Sequence, residues 1–139
     1  MRYVGLTFLA ALVVAAGATA AGLKGNSLHA TLLGKSETPK GDPDGRGTAE
    51  VKITGRKVCW EIKTSRVQTI VAAHIHKGGP GVAGPVVVPF GKVFKAKGCT
   101  TTTAAIAAAI ERRPAAYYVN VHNAKYPGGA LRGQLRSDG

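Results

Sequence analysis

Three histidines are the residues of this chain whose type and spacing could carry chemistry. His74 and His76 are separated by a single residue, and His122 ends a second segment in which valines alternate with polar residues. Alternate residues of a β-strand share a face, so His74 and His76 point the same way and Ile75 points opposite.

The second segment places its histidine on a polar face by the same reasoning. Val119 and Val121 face the core, so Tyr118 and Asn120 lie on the same side as His122. If the two strands are neighbours, the three imidazoles converge. Two histidines from one strand and one from another suit copper or zinc, Cu(II) or Zn(II), with a carboxylate or water completing the shell.

The same histidines also have a purely structural interpretation. Each ring could donate a hydrogen bond to a backbone carbonyl and hold the glycine-rich loop that follows its strand. The H-x-H pattern is short and gives frequent false positives, so both interpretations stay open. His29, in the first predicted strand, fits an ordinary surface or hydrogen-bonded histidine better, and is the remaining candidate for a fourth ligand.

A second candidate pair is Glu37 with Arg132. The two residues are expected to form one charge-assisted contact that joins the first and last strands. Ion pairs fix strand register or loops more often than they carry chemistry, so a structural role is favoured. In the alternative, Glu37 is an oxygen ligand near the histidines.

Catalysis is not expected from the remaining residues. The carboxyl side chains after Asp44 are Glu50, Glu61, Glu111 and Asp138, three of them in amphipathic patterns facing solvent and the last in the tail. No serine lies in a nucleophile-elbow motif. We therefore expect a non-catalytic binding or structural protein, with metal binding as the alternative and a mononuclear redox site still open.

The N-terminal residues predict export. Met1 and Arg2 precede an apolar run over residues 4–16, and small residues follow up to Ala21. The run is shorter than the roughly 20 residues of a membrane span and ends in an A-x-A-like site. We expect a signal peptide over 1–21 and a mature domain over 22–139, secreted or periplasmic and without a transmembrane segment after cleavage. A retained anchor is the alternative.

Export also bears on the two cysteines, Cys59 and Cys99. An even number of cysteines in an oxidising compartment favours a structural disulfide. A metal-binding pair or a reactive thiol fits less well, because the spacing is far from C-x-x-C and neither cysteine adjoins a histidine.

The net charge of +12 comes from lysines and arginines scattered along the chain. A basic exported protein is attracted to polyanionic surfaces such as acidic glycans or anionic lipids, and salt weakens the attraction. Solubility alone is the other explanation of this charge. Nucleic acid is not expected as a partner, because the basic residues lack interleaved aromatic side chains.

Short alternating segments must position these residues. Ala49, Val51 and Ile53 would face a core within a strand at residues 48–53. Further strands are predicted at residues 28–33, 58–63, 70–76, 85–90, 93–97, 117–122 and 131–135, and one helix at residues 103–113. This pattern predicts an all-β fold, an antiparallel Greek-key sandwich or barrel with one short helix.

Five phrases of the sequence resemble the CHRD domain, a module named after chordin that is also found in exported bacterial proteins. Leu33–Pro39 is similar to its E-x-P phrase, and residues 73–76 with 81–87 to its H-I-H and G-x-x-G-P-V-V. Residues 118–122 and 127–135 resemble Y-V-N-V-H and P-G-G-x-[IL]-R-G-Q-L. The abundance of lysine departs from the family pattern. The resemblance implies an extracellular β domain. The family has no common biochemical activity, so the resemblance does not identify a partner, for example another extracellular protein.

Overall fold

The computed structural model describes residues 25–138, and the predicted signal peptide at residues 1–21 lies outside the described residues. This part of the chain contains nine β-strands and one α-helix. The elements are β1 (Asn26–Leu33), β2 (Arg46–Thr54), β3 (Lys57–Ser65), β4 (Ile70–Lys77), β5 (Val86–Pro89), β6 (Lys97–Thr101), α1 (Ala104–Arg112), β7 (Tyr117–Asn123), β8 (Leu131–Gln134) and β9 (Arg136–Ser137). None of the described helices is long and apolar enough to cross a membrane.

The strands form one antiparallel sheet that curls into a nearly closed barrel. Hydrogen-bonded neighbours follow the order β5-β4-β7-β8-β1-β2-β3-β6, and β9 pairs with β1. Strands distant in sequence become neighbours at β4–β7 and at β1–β8. The predicted all-β antiparallel fold with one short helix is confirmed, and of its two forms the barrel is the one observed.

An aromatic contact bridges the gap between the edge strands β5 and β6. The indole of Trp60 stacks on the ring of Phe90, with 4.4 Å between the ring centroids. The indole Nε1 also donates to the carbonyl oxygen of Lys95 at 2.8 Å. The buried indole thus keeps its polar group satisfied while it fills the opening.

The segment that crosses this gap corrects one predicted strand. Residues 93–97 were expected to form a strand, but β6 begins only at Lys97. The Ile62 amide of β3 donates a single hydrogen bond to the carbonyl oxygen of Ala96 at 2.7 Å. The segment crosses from one edge strand to the other, so it makes single bonds to β3 instead of a ladder.

Core residues alternate along the strands as their sequence pattern predicts. Ala49, Val51 and Ile53 of β2 are at most 1 % exposed. In β4 and β7 the buried residues are Ala73, Ile75, Val119 and Val121. The polar residues between them therefore lie on the outer face of the barrel.

Helix α1 matches its predicted limits to within one residue at each end. The Thr103 hydroxyl accepts a hydrogen bond from the Ile106 amide at 3.2 Å and caps the first turn. Ala107 and Ile110, one turn apart, are buried in the core. Pro114, which cannot continue an α-helix, follows the C-cap residue Arg113 and begins a short 3-10 helix, Pro114–Ala116.

The predicted disulfide between Cys59 and Cys99 is present. The two residues lie directly opposite each other in the register of β3 and β6. The bond therefore holds the edge strand β6 to the barrel, and the described residues contain no free cysteine.

Removing this bond in a Cys59→Ala/Cys99→Ala variant should destabilise the barrel. The two cysteines are separated by 40 residues. A loop of that length predicts a loss of about 2–4 kcal/mol in the free energy of unfolding, because the unfolded chain gains entropy. Urea denaturation of both proteins measures the difference. An unchanged denaturation midpoint would contradict the prediction.

Candidate functional site

The strands β4, β7 and β8 are neighbours and place their polar residues on one face. His74 lies opposite Asn120, which lies opposite Arg132. The pairing of β4 with β7 and of β7 with β8 places further polar side chains beside these three on the outer surface. We call the set the polar layer: His74, His76, Tyr118, Asn120, His122, Arg132 and Gln134.

Much of the polar layer is shielded from solvent although it lies outside the barrel. Arg132 is 1 % exposed, and Tyr118 and Asn120 are each 3 % exposed. The loop of residues 78–85 between β4 and β5 packs over this layer through several hydrogen bonds. The layer is therefore a second, polar interior where interactions between charges and dipoles are stronger than in water.

The structure brings His74, His76 and His122 together. Each ring is partly buried, and one nitrogen from each lies within 4.8 Å of those of the other two. Nδ1 of His74 is 3.1 Å from Nε2 of His122. The convergence expected from strand parity is therefore observed, because β4 and β7 are adjacent.

Two backbone carbonyls orient His76 and His122. Nδ1 of His76 is 2.8 Å from the carbonyl oxygen of Gly84, and Nδ1 of His122 is 2.9 Å from that of Pro127. A carbonyl oxygen can only accept, so Nδ1 of His76 carries a proton and donates. In the neutral His76 ring Nε2 is then a lone pair, and it is buried without a hydrogen-bond partner among the described residues.

The side-chain amide of Asn120 lies beside all three rings. Its Oδ1 is 3.0 Å from Nε2 of His122, and because an amide oxygen only accepts, it competes with the Pro127 carbonyl for the proton of a neutral His122 ring. Asn120 also raises the pKa values of His74 and His76, against the effect of burial. Strand parity placed Asn120 on the histidine face but did not indicate this role. Its position became recognisable only from the pairing of β7 with β4.

Burial keeps the histidine rings of β4 uncharged. It lowers the pKa of His74 from 6.5 to about 4, with smaller contributions in the same direction from His122 and His76. Burial also lowers the pKa of His76, and the charges of His122 and Arg132 add to it, whereas the bond to Gly84 opposes it. Both rings are therefore neutral near pH 7, the state in which an imidazole nitrogen can bind a metal.

The buried guanidinium of Arg132 holds the loop over the cluster. Its Nη1 donates to the carbonyl oxygen of Val82 and its Nη2 to that of Gly79, both at 2.7 Å. The same guanidinium lies 3.4 Å from the ring centroid of Tyr118. Tyr118 in turn stacks on His76 at 4.9 Å, and its hydroxyl accepts from the Gly84 amide at 3.0 Å.

Glu37 lies near the polar layer but is not in a direct ion pair with Arg132. Arg132 donates to loop carbonyls and to Gln134 instead, and it lowers the pKa of Glu37 only through its charge. Glu37 is 6 % exposed, and its Oε1 has no hydrogen-bond partner among the described residues. The carbonyl oxygens of Val82 and Gly79, both at 2.7 Å, take the place of the carboxylate as Arg132 partners.

Glu37 is packed against Gly129 and Asn120 instead. A Cβ atom at position 129 would overlap the Glu37 carboxyl group, and Gly129 has φ +138°, a value that favours glycine. Burial raises the pKa of Glu37 to about 7, against the opposing effects of Asn120 and Arg132. Among the described residues the ligand cluster contains histidines alone, without Glu37.

His29 is not brought to the histidine cluster. It lies on β1, and its Nδ1 is 2.8 Å from a carboxylate oxygen of Asp138. Its side chain is largely exposed, as an ordinary surface histidine would be.

The fold and the polar layer together define an antiparallel β-barrel domain with a shielded polar site on its outer face. The family model of the CHRD domain matches residues 28–135, which include every residue of this layer. The chain belongs to the CHRD domain family, as the resemblance in its sequence implied. No match was found among curated proteins or among solved structures.

Replacing Arg132 by lysine should loosen the loop over the cluster. Lysine keeps the charge but loses the planar fork that reaches two carbonyl oxygens at once. We expect the free energy of unfolding to fall by roughly 1–3 kcal/mol, as for lost hydrogen bonds to a buried charged group. The Gly84 amide should also exchange faster with solvent, which NMR measures.

The control for this substitution is Arg46→Lys, at an exposed position of β2. It should change neither stability nor exchange of the Gly84 amide. Equal protection of that amide in the Arg132→Lys and Arg46→Lys proteins would show that Arg132 does not hold the loop.

Glu37→Gln should change how stability depends on pH. The folded protein keeps the carboxyl proton up to about pH 7, whereas the usual pKa is 4.5. This stabilising contribution is complete below pH 4.5 and is lost as pH rises through about 7. Between pH 5 and 8 the wild type should lose roughly 2–3 kcal/mol that the glutamine variant keeps.

Denaturation of both proteins at the two pH values measures this difference, because histidine titration is common to both and cancels. If the stability of the two proteins changes with pH in parallel, the pKa of Glu37 is not raised in the folded protein and the prediction is wrong.

Proposed function

We propose that this protein is an exported, non-catalytic module that binds a divalent transition metal, Cu(II) or Zn(II), through His74, His76 and His122. The observation that carries the proposal is the orientation of the rings. The Gly84 carbonyl accepts from Nδ1 of His76 and leaves its Nε2 bare, and one nitrogen from each of the three rings lies within 4.8 Å of those of the other two. Metal-binding histidines are held in this way by outer hydrogen bonds.

The unpaired Nε2 of His76 favours metal binding over a purely structural role. A structural histidine also donates to a carbonyl, so the Nδ1 bonds alone support both interpretations. A buried acceptor without a partner costs about 1–3 kcal/mol. A metal ion would supply the missing partner for this nitrogen.

The ligand types support copper or zinc. Imidazole nitrogens suit both metals, and calcium or magnesium would require oxygen ligands. Three histidines leave one position for water or another small ligand. Among the described residues the group of ligand atoms contains no carboxylate. A non-catalytic role is in keeping with membership of a generally non-enzymatic family.

Export is part of the proposal. The predicted signal peptide places the protein outside the cytoplasm, secreted or periplasmic, and the disulfide Cys59–Cys99 suits an oxidising compartment. The net charge of +12 supports an additional attraction to polyanionic surfaces.

Calorimetric titration with Zn(II) and Cu(II) tests the metal proposal. His76→Ala and His122→Ala should each weaken binding by more than the roughly 10–100-fold typical of a lost outer-shell partner, because a ligand itself is removed. His29→Ala is the matched control, since this histidine lies outside the cluster and should leave the affinity unchanged.

Thermal denaturation in metal-free buffer separates the two interpretations. The metal proposal expects His76→Ala to have a modest effect there and to lose the stabilisation that added metal gives the wild type. A protein that binds neither metal at micromolar concentration, or that binds equally well without His76, would overturn the proposal.

A further inference from the structure

A cavity separate from the histidine cluster lies on the outer face of the barrel beside β1. Its volume is about 470 Å³, within the roughly 300–1,000 Å³ of small-ligand sites. The outward-facing residues His29, Thr31 and Leu33 of β1 form one side, next to Gln134. Residues 35–38 and the pair Pro80–Gly81 form the walls, and none of the three cluster histidines lines the cavity.

Positive charge dominates the lining of this cavity. Lys35 and Arg136 are both exposed and line it. Glu37 is the one carboxyl group among the lining residues. Burial raises its pKa to about 7, so much of its negative charge is absent near neutral pH. The cavity is therefore suited to a ligand that carries an anionic group.

The remaining lining residues include three with hydroxyl groups and two with apolar surface. Thr31, Ser36 and Thr38 offer hydroxyl groups that can donate and accept. Leu33 and Pro80 offer apolar surface on the same cavity. A compact ligand with several hydroxyl groups and an apolar ring face complements this combination better than a bare inorganic anion does.

We propose that this cavity binds a small hydroxylated carboxylate, namely a uronic acid residue, either free or accessible in an acidic glycan. The carboxylate pairs with Lys35 and Arg136, and the ring hydroxyls bond to Thr31 and Ser36. The C–H face of the sugar packs on Leu33. This site is independent of the metal proposal, because it shares no lining residue with the histidine cluster.

Titration by NMR or calorimetry with galacturonic acid and its trimer tests the proposal. Galactose, which lacks the carboxylate, and inorganic phosphate, which lacks the ring, are the comparison ligands. We expect saturable binding of the uronate and at least about tenfold weaker binding of both comparison ligands, as expected for loss of a charge-assisted contact. Binding of the monomer shows that a single residue suffices, whereas binding of the trimer alone shows that the ligand is a glycan.

Two matched variants separate the cavity from the overall charge. Lys35→Ala/Arg136→Ala removes two charges that line the cavity, and Lys40→Ala/Lys57→Ala removes two exposed charges outside it. Only the first should lose uronate affinity, by about tenfold or more. Thr31→Phe fills the cavity without a change of charge and should also abolish binding.

Metal affinity and melting temperature serve as the folding check for these variants, because the histidine cluster lies elsewhere. Equal losses in the two charge variants would overturn the proposal, since they would indicate attraction to the net charge alone. Phosphate or galactose bound as tightly as the uronate, or full binding by Thr31→Phe, would overturn it as well.

Discussion

The buried guanidinium of Arg132 is the interaction on which the polar layer depends. A charge removed from water is costly unless its donors are satisfied. Here the guanidinium finds the carbonyl oxygens of Gly79 and Val82, the amide of Gln134 and the face of Tyr118. Satisfying this charge fixes the loop of residues 78–85 against the sheet. The same loop supplies the Gly84 carbonyl that orients His76.

This arrangement separates the stability of the barrel from the chemistry of its surface. The core is formed by the inward residues of β1–β5, β7 and β8 together with α1, with the Trp60–Phe90 stack across the gap. The outward residues of β4, β7 and β8 form a site only because loops cover them. Substitution of a site residue can therefore alter binding while the apolar core stays intact, and Asn120 and Glu37 connect the cluster to the loop after β1.

Much of the fold and part of the site could be predicted from the sequence. Alternation identified most of the strands, and parity placed His74, His76 and His122 on one side, because a two-residue period is local information. The partners of Arg132 and the shielding of the layer depend on a loop that folds back over three strands. Local patterns do not contain such contacts, and for the same reason residues 93–97 were wrongly predicted as a strand. Glu37 and Arg132 were expected to pair, but carbonyl oxygens of the loop accept from the arginine and burial raises the pKa of Glu37.

The protonation state of the histidine rings tests the central claim most directly. The nitrogen-15 chemical shifts of the imidazole rings, measured by NMR in the metal-free protein near neutral pH, distinguish a protonated nitrogen from a bare one. We expect His76 to be protonated at Nδ1 with a bare Nε2, because the Gly84 carbonyl accepts from Nδ1. The exposed His29 provides the internal reference. A proton found on Nε2 of His76 instead would contradict a preorganised lone pair and the metal site built on it.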